Sequence, residues 1–102
     1  MTDVMPNLVS TIIPVFNRPV MLREAVESVL AQTWRPIEII IADDGSTDET
    51  VEVGKSLEQA HPGVVRYVWN PNRGAGPARE SGRQIARGEF IQYLDRDRKS
   101  VV

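Results

Sequence analysis

Two pairs of carboxylates in this 102-residue chain have the types and spacing to do chemistry. Asp43 and Asp44 are adjacent and follow Ile39, Ile40, Ile41 and Ala42 without a break. Asp95 and Asp97 flank Arg96, just after the run from Glu89 to Leu94. Adjacent like charges repel, and each loses hydration where it is partly buried. A pair at the end of an apolar run is therefore either a solvated turn or a place that needs acceptor oxygens. Carboxylates separated by one residue at the end of a strand share a side. Hard oxygens placed that way suit Mg²⁺ or Mn²⁺, which keeps several waters and is completed by substrate phosphates. Each pair also has a plainer reading. Asp95 and Asp97 could be solvated and paired with Arg96, Arg98 and Lys99. Asp43 to Ser46 could be a turn at Gly45 and a helix cap at Ser46 or Thr47, with Asp48 and Glu49 favourable in the first helical turn.

The elements around these pairs decide whether they can meet. Leu8 to Phe16 is β-branched and apolar and reads as a buried strand, with Pro14 near its end where a missing amide matters least. Asn17 is a candidate N-cap and Pro19 fits the first turn of a helix. Met21, Leu22, Ala25, Val26, Val29 and Leu30 give that helix one apolar stripe. Ile37 to Ala42 reads as a strand apolar on both faces, as in a parallel sheet covered by helices. Ser46 and Glu49 have the spacing of a capping box for a second helix running to Ala60, weakened by Gly54. Val64 to Trp69 is a third strand, and Pro77 to Gly88 a short third helix. Glu89 to Leu94 is a fourth strand. Trp34 and Trp69 lie beside apolar elements and read as packing residues.

The predicted order is β-α-β-α-β-α-β. It argues for a three-layer α/β/α fold with a mostly parallel, Rossmann-like sheet and right-handed crossovers. Such sheets bind ligands beyond the carboxyl ends of their strands, near the point where strand order reverses. With strand order 3-2-1-4, the polar stretches after the first, second and fourth strands converge on one crevice. Asp43 and Asp44 then stand at the mouth of the sheet.

Composition removes several alternatives. The chain is 41% apolar and 25% charged, which suits one ordinary core. A net charge of −2 gives no basic footprint for nucleic acid. With no cysteine, disulfide and thiolate chemistry are excluded. The stretch from Met1 to Ser10 lacks a basic region followed by an apolar one, and no apolar run has membrane-spanning length. The expected location is cytoplasmic, with membrane association left open for an intact parent protein. The segment from Gly74 to Arg79 does not match the phosphate-loop pattern. His61, in His-Pro-Gly, reads as a turn residue.

Taken in order, STIIPVFNR, SVLAQTW, IIIADDGSTDET and NRGAGPARESGRQIARGEFIQYLDRD resemble the nucleotide-sugar-binding half of family-two glycosyltransferases, which have the GT-A fold. The likeness spans roughly residues 8 to 97, and the ordered set is far more specific than any one motif. It implies a nucleotide-diphosphate sugar as ligand, a UDP-sugar first, and transfer of the sugar to an acceptor hydroxyl with inversion. Pro14, Val15, Phe16 and Asn17 would line the base pocket. Asp44 would accept a hydrogen bond from the base, and Asp43 would support that loop. Arg79 would lie near the base or the diphosphate. Asp97 would be the ligand of a divalent metal, Mn²⁺ or Mg²⁺, with Asp95 near the ribose or the metal.

The chain also departs from the family pattern. Arg96 and Arg98 stand where the family has a small residue and a third acid, and Glu80 where it usually has Asn. Residues 98–102 resemble nothing in the family and read as a non-native tail. The family's catalytic base and acceptor site lie in a second half, so no catalytic residue is assigned here. Residues 1–102 are expected to be a single partial domain, a truncated donor-binding half without transfer activity of its own. An exposed sheet edge in such a fragment is expected to drive self-association. The competing function is a non-catalytic nucleotide-binding or interaction module. A phospho-receiver domain fits poorly, because the acid pair follows the second strand and Val64 to Trp69 ends in Asn70-Pro71.

Overall fold

The computed structural model describes residues 4–94. Seven elements alternate: β1 (Met5–Val15), α1 (Pro19–Leu30), β2 (Ile37–Asp43), α2 (Thr50–Ala60), β3 (Val65–Trp69), α3 (Ala75–Ile85) and β4 (Gly88–Tyr93). The four strands form one sheet in the order β3-β2-β1-β4, and each pairing is parallel. This is the fold class expected from the alternation, and the order is the one under which the polar stretches converge.

Period-two alternation in β1 and β2 sends successive side chains to opposite faces, and both faces are covered. Ile13, Ile39 and Ile41 pack beneath Leu22, Val26 and Val29 of α1 and Leu57 of α2. Ile12, Ile40 and Ala42 meet Ala78 of α3 on the other face. All seven residues of β2 are buried, as a central strand between two helical layers requires.

Several local readings change, each because a distant partner captures a group. Strand β1 starts at Met5, earlier than Leu8, because Met5 pairs with Gly88 across an irregularity before Val9. Asn7 has φ 66° there, and its amide donates to Glu89. Phe16 falls outside the strand. Asn17 does not cap α1; Arg18 holds that position without a side-chain bond, and Pro19 is in the first turn. The capping box does not form either. Helix α2 begins at Thr50, whose amide donates to Asp48 at 2.9 Å. Helix α3 begins at Ala75 and stops at Ile85, where Ala86 turns extended. Gly88 belongs to β4, and its amide donates to the Ser10 hydroxyl at 2.9 Å.

The amino-terminal end of the sheet is held by a buried charge. Glu38 is 1% exposed, in the otherwise apolar strand β2. It accepts hydrogen bonds from the Ser10 hydroxyl at 2.6 Å and the Arg87 amide at 2.7 Å. The guanidinium groups of Arg87 and Arg66 approach its other oxygen at 3.2 and 3.4 Å. Arg66 also donates to the Ile85 carbonyl at 2.7 Å. One carboxylate thus joins β1, β2, β3 and the connection from α3 to β4. Burial pushes the Glu38 carboxyl upward, but the Arg87 amide, the Ser10 hydroxyl and the Arg87 guanidinium together hold it below its ordinary value.

The two edges of the sheet differ. On β3, the outward amide of Tyr67 donates to the Glu58 carboxylate of α2 at 3.1 Å, which closes part of that edge. On the other side, β4 pairs with β1 alone among the described residues, and Phe90 and Ile91 are exposed. Unpaired strand edges flanked by apolar side chains template pairing with another chain. We propose that the 102-residue chain self-associates through β4. Light scattering is expected to show a mass that rises with concentration, and to lose that rise in Ile91→Lys. A constant monomer mass would remove the proposal.

Candidate functional site

The carboxyl ends of β1, β2 and β3 lie level, since Val15 pairs with Asp43 and Asp43 with Trp69. Each strand there runs into a polar loop, and the three loops are bonded to one another. The Asp44 amide donates to the Val15 carbonyl at 2.8 Å, and the Asn70 amide to the Asp43 carbonyl at 2.8 Å. The Asn17 amide donates to the Ser46 hydroxyl at 2.8 Å, and the Thr47 amide to Asn17 Oδ1 at 2.9 Å. Ser46 is therefore occupied by the first loop, which is why it does not cap α2.

The two adjacent acids face different partners. Asp43 is fully buried. Its Oδ1 accepts the Ser46 amide at 2.8 Å and its Oδ2 the Tyr67 hydroxyl at 2.6 Å. Asp44 is 8% exposed and turns toward the third loop. Its Oδ1 accepts the amides of Arg73 and Gly74 at 2.8 and 3.2 Å, and its Oδ2 the Gly74 amide at 3.1 Å. This carboxylate sits just before α3, where the helix dipole favours negative charge. A carboxylate has about four acceptor positions, so Oδ2 keeps capacity for a further donor. Gly45 between Asp44 and Ser46 has φ 83°, and a Cβ there would meet the Asn72 backbone nitrogen at 2.6 Å.

The other residues singled out from the sequence divide. Pro14 and Val15 are buried within the sheet, Phe16 is exposed at its mouth, and Asn17 is half-buried with its amide oxygen on Thr47. Arg79 is half-buried in α3, beside Ala78, which packs on the sheet. Asp95 and Asp97, with Arg96 and Arg98, lie outside the described residues. Both tryptophans read as packing residues are half-exposed, each anchored by its indole N–H: Trp34 to the Asn7 carbonyl at 3.0 Å, Trp69 to the Ser46 carbonyl at 3.2 Å. Sequence reasoning missed Tyr67. A tyrosine two residues before the end of an edge strand, opposite a glycine in the preceding helix, was the available signal.

Among the described residues, no three His, Cys, Asp or Glu side chains gather as metal ligands. Asp43 has both oxygens occupied, and Asp44 faces backbone amides. The described residues alone do not form a metal site. No helix among them is long and apolar enough to cross a membrane.

A parallel sheet of order 3-2-1-4, with its acceptor-rich loops collected at the carboxyl ends and helices on both faces, is the Rossmann-like arrangement of GT-A proteins. The model of "Glycosyl transferase family 2" matches residues 10–98, and the chain belongs to that family. It is 41% identical over 91 residues to the uncharacterized glycosyltransferase YibD of Escherichia coli (strain K12), covering 89% of this chain and 26% of that protein. It is 40% identical over 95 residues to the GalNAc(5)-diNAcBac-PP-undecaprenol beta-1,3-glucosyltransferase of Campylobacter jejuni, covering 91% of this chain and 30% of that one. Among solved structures, the mannosyltransferase PcManGT from Pyrobaculum calidifontis, in complex with GDP-Man and Mn²⁺, superimposes with a TM-score of 0.79 at 25% identity, over 87% of this chain and 27% of that one. Staphylococcus aureus TarS 1–349 in complex with UDP-GlcNAc gives 0.70 at 26% identity, over 87% and 26%. The chain thus spans about a quarter to a third of the length of these relatives.

Proposed function

We propose that these residues form the donor-nucleotide site of a glycosyltransferase that moves a sugar from a nucleoside diphosphate to an acceptor hydroxyl with inversion. The observation that carries this reading is Asp44: a nearly buried carboxylate where three βα loops meet, with acceptor capacity left on Oδ2. A nucleobase with a ring N–H supplies the missing donor, and uracil is the reading for this chain. Phe16, exposed next to Val15, whose carbonyl accepts the Asp44 amide, offers a face for the base. Asp43 holds the loop and does not touch the ligand. Arg79 lies close to the base or diphosphate. Asp97, with Asp95, would hold a divalent cation, which would supply positive charge against the diphosphate. In this reading residues 10–98 carry the donor side of the reaction.

Calorimetry of the 102-residue chain with UDP, with and without Mn²⁺, tests this, with GDP as the comparison. Binding of UDP that strengthens with Mn²⁺, and a loss of that strengthening in Asp97→Ala, is the expected result. Preference for GDP would reassign the base. No heat with either nucleotide would leave a structural module and end the reading.

A further inference from the structure

Resting on the donor-site reading above, we infer that Tyr67 is a positioning residue: its hydroxyl, acting through Asp43, sets the backbone of residues 44–47 and, through Ser46, that of Asn17. The chain of contacts is continuous. Tyr67 donates to Asp43 Oδ2 at 2.6 Å, Asp43 Oδ1 accepts the Ser46 amide at 2.8 Å, and the Ser46 hydroxyl accepts the Asn17 amide at 2.8 Å. Asp43 is fully buried, and its two oxygens accept from the Ser46 amide and the Tyr67 hydroxyl. Among the described residues, two neutral donors hold its rotamer, and hydrogen bonds to a carboxylate are the stronger kind. Of the two, only Tyr67 lies outside the loop being held. The Ser46 amide is part of that loop and cannot fix it from outside.

The placement of the ring is itself prepared. Gly54 of α2 lies flat against it, and a methyl group at that position would overlap the Cδ1 and Cε1 atoms of Tyr67. The Tyr67 amide is bonded to Glu58 of the same helix. Burial, the bond to Asp43, and the charges of Asp43 and Glu52 push the phenol far above its ordinary value of 10.0, so it remains a donor wherever the protein is folded. The glycine read from the sequence as a weakness of α2 is the space that lets β3 reach the loop.

Tyr67→Phe keeps the ring against Gly54 and removes only the donor. Amide hydrogen exchange at Ser46 and Thr47 is expected to quicken about tenfold, with Val26 and Val29 in α1 unchanged. The Trp69 indole N–H, which donates to the Ser46 carbonyl, is expected to shift in the proton spectrum. The dissociation constant for UDP is expected to rise about tenfold, a loss of about 1.4 kcal/mol. Wild-type exchange rates at Ser46 and Thr47 in the variant would overturn the relay. Quickened exchange with an unchanged constant for UDP would overturn its role in binding. A wild-type chain that binds neither UDP nor GDP would instead sink the donor-site reading, and the functional half of this inference with it; the exchange result still decides the relay.

Discussion

Glu38→Ala is expected to destabilise the chain more than any other single truncation in the sheet, by about 3 kcal/mol. The carboxylate is fully buried and accepts from the Ser10 hydroxyl, the Arg87 amide and two guanidinium groups. Removing it takes the acceptor from the Ser10 hydroxyl and the Arg87 amide and the counter-charge from both guanidinium groups, of which Arg66 keeps only the Ile85 carbonyl. The figure is at the low end for a broken buried pair, because the Arg66 and Arg87 side chains are 32% and 44% exposed and can take up water. For a domain of this size the thermal midpoint should fall by roughly 12–24 °C. The pH dependence identifies the cause. The folded state holds the Glu38 carboxyl below its ordinary value of 4.5, so its contribution is complete above that value. It fades as pH falls through the depressed folded value. Denaturant melts at pH 7 and pH 3 should therefore show a wide gap between wild type and variant at neutral pH and a narrower one in acid. An equal gap at both would mean that lost packing, not lost charge, explains the effect.

Asp44→Ala should give the largest loss in nucleotide affinity, about 10- to 100-fold for UDP, the range for a hydrogen bond to a charged group. It carries a second effect. The amides of Arg73 and Gly74 lose their acceptor at the start of α3, which costs about 1 kcal/mol, as loss of a cap does. Asp44→Asn separates the two. Its carbonyl oxygen can still receive the Arg73 and Gly74 amides, while its NH₂ group faces a base N–H with a donor. The asparagine variant is expected to melt close to wild type yet bind UDP as poorly as the alanine variant. Calorimetry and thermal melts of both variants decide this. Wild-type UDP affinity in Asp44→Ala would remove Asp44 from the site.

The alternation of strands and helices could be read from the chain because its causes are local and repeated. Val9 to Val15 and Ile37 to Ala42 are too apolar for anything but buried strands, and the helices between them carry their stripes in sequence. What could not be read were choices settled across long sequence separations. Ser46 and Glu49 have perfect local spacing for a capping box, but the Ser46 hydroxyl is claimed by Asn17, 29 residues away. Asn17 looked like a cap for α1 and instead receives the Thr47 amide. Glu38 carries its own signal in the sequence: one acid inside a run of isoleucines must find partners or leave the strand. Its partners, Ser10, Arg66 and Arg87, come from three other segments. The adjacent acids Asp43 and Asp44 were legible as a pair, but their division of labour follows from where β3 and the loop before α3 lie.

Strand β2 carries its buried charge at one end and the acid pair at the other, about 17 Å apart at roughly 3.3 Å per residue. Changes separated by that much, with no shared partner, combine without interfering. In the proposed donor-site reading, the rim formed by residues 16–17, 44–47 and 70–74 can then be rewritten for a different ligand while the far end keeps the molecule intact. Such a chain can explore new recognition without first accumulating compensating repairs, a freedom that a family handling many different sugars can draw on.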